Sequence, residues 1–170
     1  MPVKQSFSTP DFERYLRRCQ EIAMDMVFNR MAFLAEECVN RIRSRSKEES
    51  WIDHSGNLRS SIGYIITVNG NPVVNGGFMP TNTPEGNGAD GQKAGSEYAD
   101  GIITQFSHSP IALVEVAGME YALYVEARDN KDVLASTELW ARSEWSKRMP
   151  KLKANIEKEW EKLARQMNMA

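Results

Sequence analysis

The chain has 170 residues, 26% of them charged, and a net charge of -2. That length buries a core without disulfide or metal support, and a hydrophobic content of 41% excludes disorder throughout. No apolar run approaches the ~20 residues of a membrane helix, and the stretch from Met1 to Leu16 lacks the apolar region of a secretory signal. The expectation is one soluble domain, 1–170, made in the cytoplasm.

Thr9-Pro10-Asp11 predicts a helix start, with Thr9 as cap, Pro10 at the first helical position and Asp11 at the positive end of the dipole. Phe12, Leu16, Cys19, Ala23, Met26, Leu34, Cys38 and Ile42 then recur at steps of three, four and their sums, which marks one helical face. The long helix is expected over 9–47, ending in Arg41, Arg43, Arg45 and Lys47, cations suited to the negative dipole end. Cys19 and Cys38 would lie about 28 Å apart along it. That is far beyond disulfide reach, so both read as buried thiols.

Residues 50–61 form a turn-rich bridge with one helical turn capped by Asp53 or Ser55. Ile62 to Val68 reads as a strand, 69–72 as a turn and Val73-Val74 as the start of a returning strand. Residues 75–101 hold seven glycines with Pro80 and Pro84. The segment 75–110 therefore reads as a long Gly-rich loop, a candidate docking element that orders on a partner. Ile111–Ala117 and Tyr121–Ala127 read as an antiparallel hairpin turned at Gly118-Met119. A C-terminal helical segment follows over 132–167, broken or restarted at Pro150. The order predicts an α+β fold, with a long N-terminal helix, an antiparallel sheet across 62–127 and a C-terminal helix.

Charge is unevenly placed. Residues 50–141 carry four basic and eleven acidic side chains, and residues 142–170 carry eight basic and four acidic ones. The acidic middle argues against phosphate binding there.

No motif carries catalysis. Asp53-His54-Ser55 holds the letters of a triad, but three consecutive residues do not converge in space. His54 and His108 lack carboxylates at metal-ligand spacing, and no CxxC or HExxH is present. Asn87 to Gln92 lacks the acidic offsets of a calcium loop, and Asn75-Gly76-Gly77 lacks the Lys-Ser/Thr of a phosphate loop. Trp140, Trp145 and Trp160, at helical spacing, read as core or interface rather than a base-stacking platform. The chain is expected to be non-enzymatic, with no catalytic, cofactor-binding or metal residues and no cofactor.

Two stretches carry a resemblance. Trp51-Ile-Asp-His-Ser-Gly-Asn-Leu-Arg-Ser-Ser-Ile62 contains a Ser-Gly-Asn-Leu-Arg-x-Ser-Ile segment, and Tyr121-Ala-Leu-Tyr-Val-Glu-Ala127 a Tyr-Ala-x-Tyr-Val-Glu segment. In that order, between a long helix and a C-terminal helix, they resemble the HK97 gp10-like family of phage tail-component proteins. Ala127-Arg128 replaces the Phe-Gly usual in that family, and 75–109 resembles an enlargement. The resemblance implies a virion structural protein of the head-tail junction or tail end, a tail-completion, neck or connector subunit. It implies a homo-oligomeric ring docked on neighbouring connector, stopper or tail-tube proteins. DNA would be cargo passing through the lumen, and no membrane is involved. Candidate interface residues are Trp51, Ser55, Gly56, Asn57, Leu58, Arg59, Ser61, Tyr121, Tyr124 and Glu126. Arg59 is expected to reach a carboxylate such as Glu126, within the subunit or across a ring. Asp100, Glu115 and Glu120 are expected on an acidic lumen wall. The rival readings are a nucleic-acid-binding protein using the basic C-terminal helix and an enzyme whose site leaves no motif.

Overall fold

The computed structural model describes residues 8–46, 50–106, 108–128 and 132–167, with Thr104 by its backbone alone. The fold is α+β. The elements are α1 Thr9–Arg43, α2 Asn57–Ser60, β1 Ile62–Val68, β2 Asn71–Gly76, α3 Ala89–Ile102, a short 3-10 helix Ile103–Phe106, β3 Ile111–Ala117, α4 Ala122–Ala127 and α5 Ala135–Gln166. They divide into two compact units. One comprises residues up to Arg30 together with Glu144 onward; the other comprises Met31–Ser143.

The first unit is built from the N-terminal stretch of α1 and the C-terminal stretch of α5. The cap of α1 is Ser8 rather than Thr9. Ser8 Oγ accepts the Asp11 N–H at 3.3 Å and donates to Asp11 Oδ2 at 2.5 Å. The hydroxyl and the carboxylate three residues on thus satisfy each other and the open helix end, which places Thr9 one position inside. Trp160 Nε1 donates to the Cys19 carbonyl at 2.8 Å, and Cys19, Leu152 and Ile156 are buried. Pro150 lies inside α5, which continues unbroken through it. One backbone donor is lost there, and Leu152 and Ile156, buried just beyond it, help hold the helix together.

The second unit carries the sheet, in the order β2-β1-β3 with both pairings antiparallel. The β1–β2 turn is tighter than 69–72. Asn69 (φ 51°) and Gly70 (φ 77°) turn the chain alone, and Val68 pairs with Asn71. This is the positive-φ two-residue turn that matches strand twist. Pro72 sits in edge strand β2 beside a register shift, where a missing N–H does least harm. Strand β1 is central and buried along Ile62–Thr67. One face meets α1, where Tyr64 Oη donates to Glu36 Oε1 at 2.7 Å. The other meets α3, where Ile65, Ala99 and Val116 form a core flanked by Phe78, Ile102, Ile103 and Val114. Covering both faces explains the near-continuous apolar run Ile62-Gly-Tyr-Ile-Ile. Each fully buried isoleucine stabilises by roughly 1.5–3 kcal/mol.

Three further expectations are corrected. Residues 75–110 are not an open loop, because α3 fills much of them. Gly91 and Gly95 face α2. A Cβ at Gly91 would overlap the Asn57 carbonyl, and one at Gly95 would meet the Ser61 carbonyl at 2.6 Å. The glycines permit close packing, not flexibility. Asn87 to Gln92 is the entry to this helix, where Asn87 Oδ1 accepts the Ala89 N–H at 3.1 Å.

Residues 122–127 are the helical turn α4, not a strand, so the sheet has three strands among the described residues. In a helical turn Ala122, Val125 and Glu126, at i, i+3 and i+4, point inward together, which a strand would prevent. Finally, α1 ends at Arg43, and Lys47 lies outside the described residues.

Candidate functional site: an apolar cleft with an acidic rim

The bridge after α1 is held by arginines acting on backbone carbonyls. Arg59 donates from Nη1 to the Arg43 carbonyl at 2.5 Å, and from Nη2 to the carbonyls of Arg45 at 2.8 Å and Trp51 at 3.5 Å. Its guanidinium lies 4.8 Å from the Trp51 ring centroid, a cation–π stack on a buried indole. Arg43 in turn donates to the carbonyls of Gly77 (2.9 Å) and Met79 (2.5 Å) and to Thr81 Oγ1 (2.8 Å). Arg45 pairs with Asp132 at 3.1 Å and donates to Ser136 and Thr137. These cations serve as clamps between segments far apart in sequence, more than as charges at a helix end.

The N-cap of α2 is Gly56, and the side chains of Asp53 and Ser55, expected as caps, accept amides of its first turn from before that position. Asp53 Oδ2 accepts the Arg59 N–H at 2.7 Å and Ser55 Oγ accepts the Asn57 N–H at 3.3 Å. Gly56 occupies the left-handed region at φ 76°, against the Thr81 carbonyl, where any side chain would be strained. Asn57 Oδ1 accepts the Gly91 N–H at 3.3 Å, while Ser61 Oγ donates to the Leu58 carbonyl at 2.9 Å. Leu58 is buried.

Glu126 does not meet Arg59 within the subunit. Its Oε2 accepts the N–H groups of Val133 (2.6 Å) and Leu134 (2.7 Å), and Oε1 that of Ala135 (3.0 Å). A carboxylate thus closes the start of α5, where the helix dipole favours negative charge.

The two segments that carry the resemblance nevertheless meet. Trp51, Ser55 and Leu58 from the first, and Tyr121 and Val125 from the second, line one cleft of about 300 Å³ with Ile52, Asp53, His54 and Glu85. Trp51 and Leu58 are buried at its base, and His54 and Glu85 are exposed around it, 3.2 Å apart. Ile52 is 62% exposed, Tyr121 41%, Leu123 78% and Tyr124 64%, so both segments leave large apolar side chains uncovered. The Arg128 guanidinium lies 5.9 Å from the Tyr124 ring centroid. Burial pushes the Tyr121 hydroxyl above its ordinary value, and the Asp53 charge adds to this. Gly56, Asn57, Arg59, Ser61 and Glu126 face inward instead and hold the frame. Ile52, Leu123 and Glu85 escaped the sequence reading. A strand across 121–127 would alternate its side chains, so it does not leave the neighbours Leu123 and Tyr124 exposed together.

Asp53, His54 and Ser55 do not converge, since each contacts a different group. Among the described residues no group of three or more His, Cys, Asp or Glu side chains is placed to hold a metal ion. Trp140 lies under the Arg41 guanidinium at 5.2 Å, and Trp140, Trp145 and Trp160 are each partly buried. Glu115, expected on a lumen wall, is not an open surface carboxylate. It is largely buried, and burial raises its carboxyl pKa against a hydrogen bond with Cys38 that lowers it. Asp100 and Glu120 are exposed. No helix among the described residues is long and apolar enough to cross a membrane. No protein-family model, curated protein or solved structure matches the chain.

Proposed function

We propose that this chain is a non-enzymatic virion structural subunit of a phage head-tail junction or tail end, which works by closing a ring with copies of itself and docking on neighbouring connector, stopper or tail-tube proteins. The reading starts from the resemblance of Ser55–Ile62 and Tyr121–Glu126 to phage tail-component proteins. One observation carries it further: both segments line a single cleft, with Ile52 exposed in its lining and Leu123 and Tyr124 exposed in the same short segment as the lining residues Tyr121 and Val125. Large apolar side chains left uncovered in two segments that share a cleft mark an interaction surface. DNA is cargo in this reading.

The test is the mass of the purified chain in solution, by light scattering after size exclusion over a concentration series. The expected result is a discrete multiple of 19.3 kDa. Ile52→Asp with Leu123→Asp should lower that mass while the far-ultraviolet circular dichroism stays unchanged. A wild-type chain that remains monomeric at every concentration would overturn self-assembly.

A further inference from the structure

We infer that the ring contact is head-to-tail, with a lysine-rich face of α5 from one copy seated on the acidic-rimmed Trp51–Tyr121 cleft of the next. The inference rests on the assembly reading above and specifies its contact surfaces.

The cleft has a definite chemistry. Its base is apolar and aromatic, and the charged groups lining it are Asp53, His54 and Glu85. Glu120, exposed beside Tyr121 in the chain, adds a further carboxylate and makes no ion pair among the described residues. No lysine or arginine lines the cleft. The nearby Arg59 is spent on three backbone carbonyls and the Trp51 ring. An exposed tyrosine in an apolar cleft that also holds carboxylates suits a cation on a long aliphatic stem. The stem covers apolar surface, and the ammonium reaches the acids.

The same chain offers such a partner. Lys147, Lys151, Lys158, Lys162 and Arg165 are separated by four, seven, four and three residues, so they fall on one face of α5. All five are exposed, whereas Leu152 and Ile156 on the other side of the helix are buried. The stripe runs about 27 Å along the axis. Lys147, Lys162 and Arg165 have partners within the helix, at Glu144, Glu159 and Glu161. Lys151 and Lys158 make no ion pair among the described residues and project from the middle of the stripe. Acidic cleft and basic stripe are different surfaces of one chain, so pairing them is heterologous and generates a ring where the rotation closes. Complementary charge would steer the encounter and fix the register. Glu120 is then a contact residue rather than part of a lumen wall.

The experiment measures oligomer mass for three proteins: wild type, Lys151→Glu with Lys158→Glu, and Glu85→Lys with Glu120→Lys. All four positions are exposed, and thermal melts confirm that each variant folds. The expected result is an oligomer that weakens with salt and weakens on the order of tenfold or more in either variant. Mixing the two variants should restore assembly, because each reversed surface meets its complement. Oligomers unchanged in both variants would overturn the contact while leaving self-assembly standing. A monomeric wild type would overturn both. A stripe that retards duplex DNA, loses that on Lys151→Glu with Lys158→Glu and leaves the oligomer intact would overturn the contact in favour of nucleic-acid binding.

Discussion

The Arg59 guanidinium lies 4.8 Å from the Trp51 ring centroid while its nitrogens reach the carbonyls of Arg43, Arg45 and Trp51. One planar cation thereby ties the end of α1 to the bridge that enters the sheet. Arg59→Ala should cost on the order of 2–4 kcal/mol, since several carbonyls lose a charged donor in a half-buried place. Arg59→Lys should recover only part of this, because an ammonium lacks the fork and the stacking plane. Urea denaturation measures both. A change within about 0.5 kcal/mol for the alanine variant would reduce Arg59 to an ordinary surface cation.

The two ends of α3 should respond oppositely to the same substitution. Nothing lies within 4 Å of a Cβ placed at Gly101, so Gly101→Ala should stabilise by about 0.5–1 kcal/mol through helix propensity. At Gly91 the new methyl would overlap the Asn57 carbonyl, so Gly91→Ala should destabilise by about 2 kcal/mol or more. Paired thermal melts decide it. Stabilisation by both would mean that α3 does not pack on α2 as described.

Glu126 accepts three N–H groups at the entry to α5, those of Val133 and Leu134 just before it and of Ala135, its first residue. Glu126→Ala should cost about 1–2 kcal/mol, the usual range for a lost helix cap. Amide hydrogen exchange should quicken at Val133, Leu134 and Ala135 before it changes elsewhere. Unchanged protection at those three amides would contradict the capping role.

Glu115 gives a pH dependence of definite sign. Its folded-state pKa is raised above the ordinary 4.5 by burial. The protonated carboxyl therefore contributes stability that is fully present below 4.5, and this is lost as pH rises through the folded-state value. Glu115→Gln keeps the neutral shape, so it should raise the urea midpoint at neutral pH and leave a smaller difference from wild type in acid. A variant less stable than wild type at neutral pH would show that the carboxylate is stabilised where it lies.

Much of the candidate site was legible in the primary sequence as motif positions, but the role of each residue was not. Trp51, Ser55, Leu58 and Tyr121 could be picked out by segment, and they do line the cleft. Arg59 and Glu126 were picked out too, yet each is consumed by backbone groups rather than by the other. Backbone carbonyls and amides leave no trace in side-chain identity, so sequence reading paired charge with charge.

Sequence by itself determined the features whose causes are local. The period of apolar residues marked α1 and α5, the buried run marked β1, Ile111–Ala117 marked β3, and Asn69-Gly70 turned the hairpin. Each follows from backbone preferences and side-chain spacing within a few residues. Tertiary structure alone decided α3 and α4. The glycines of α3 have the composition of a loop, and only the carbonyls of Asn57 and Ser61, more than 30 residues earlier, explain why small residues are needed there. The aromatic and β-branched residues of α4 have strand propensity. Burial of Ala122, Val125 and Glu126 on one side of a single turn outweighs it, because that turn seats the carboxylate which closes α5.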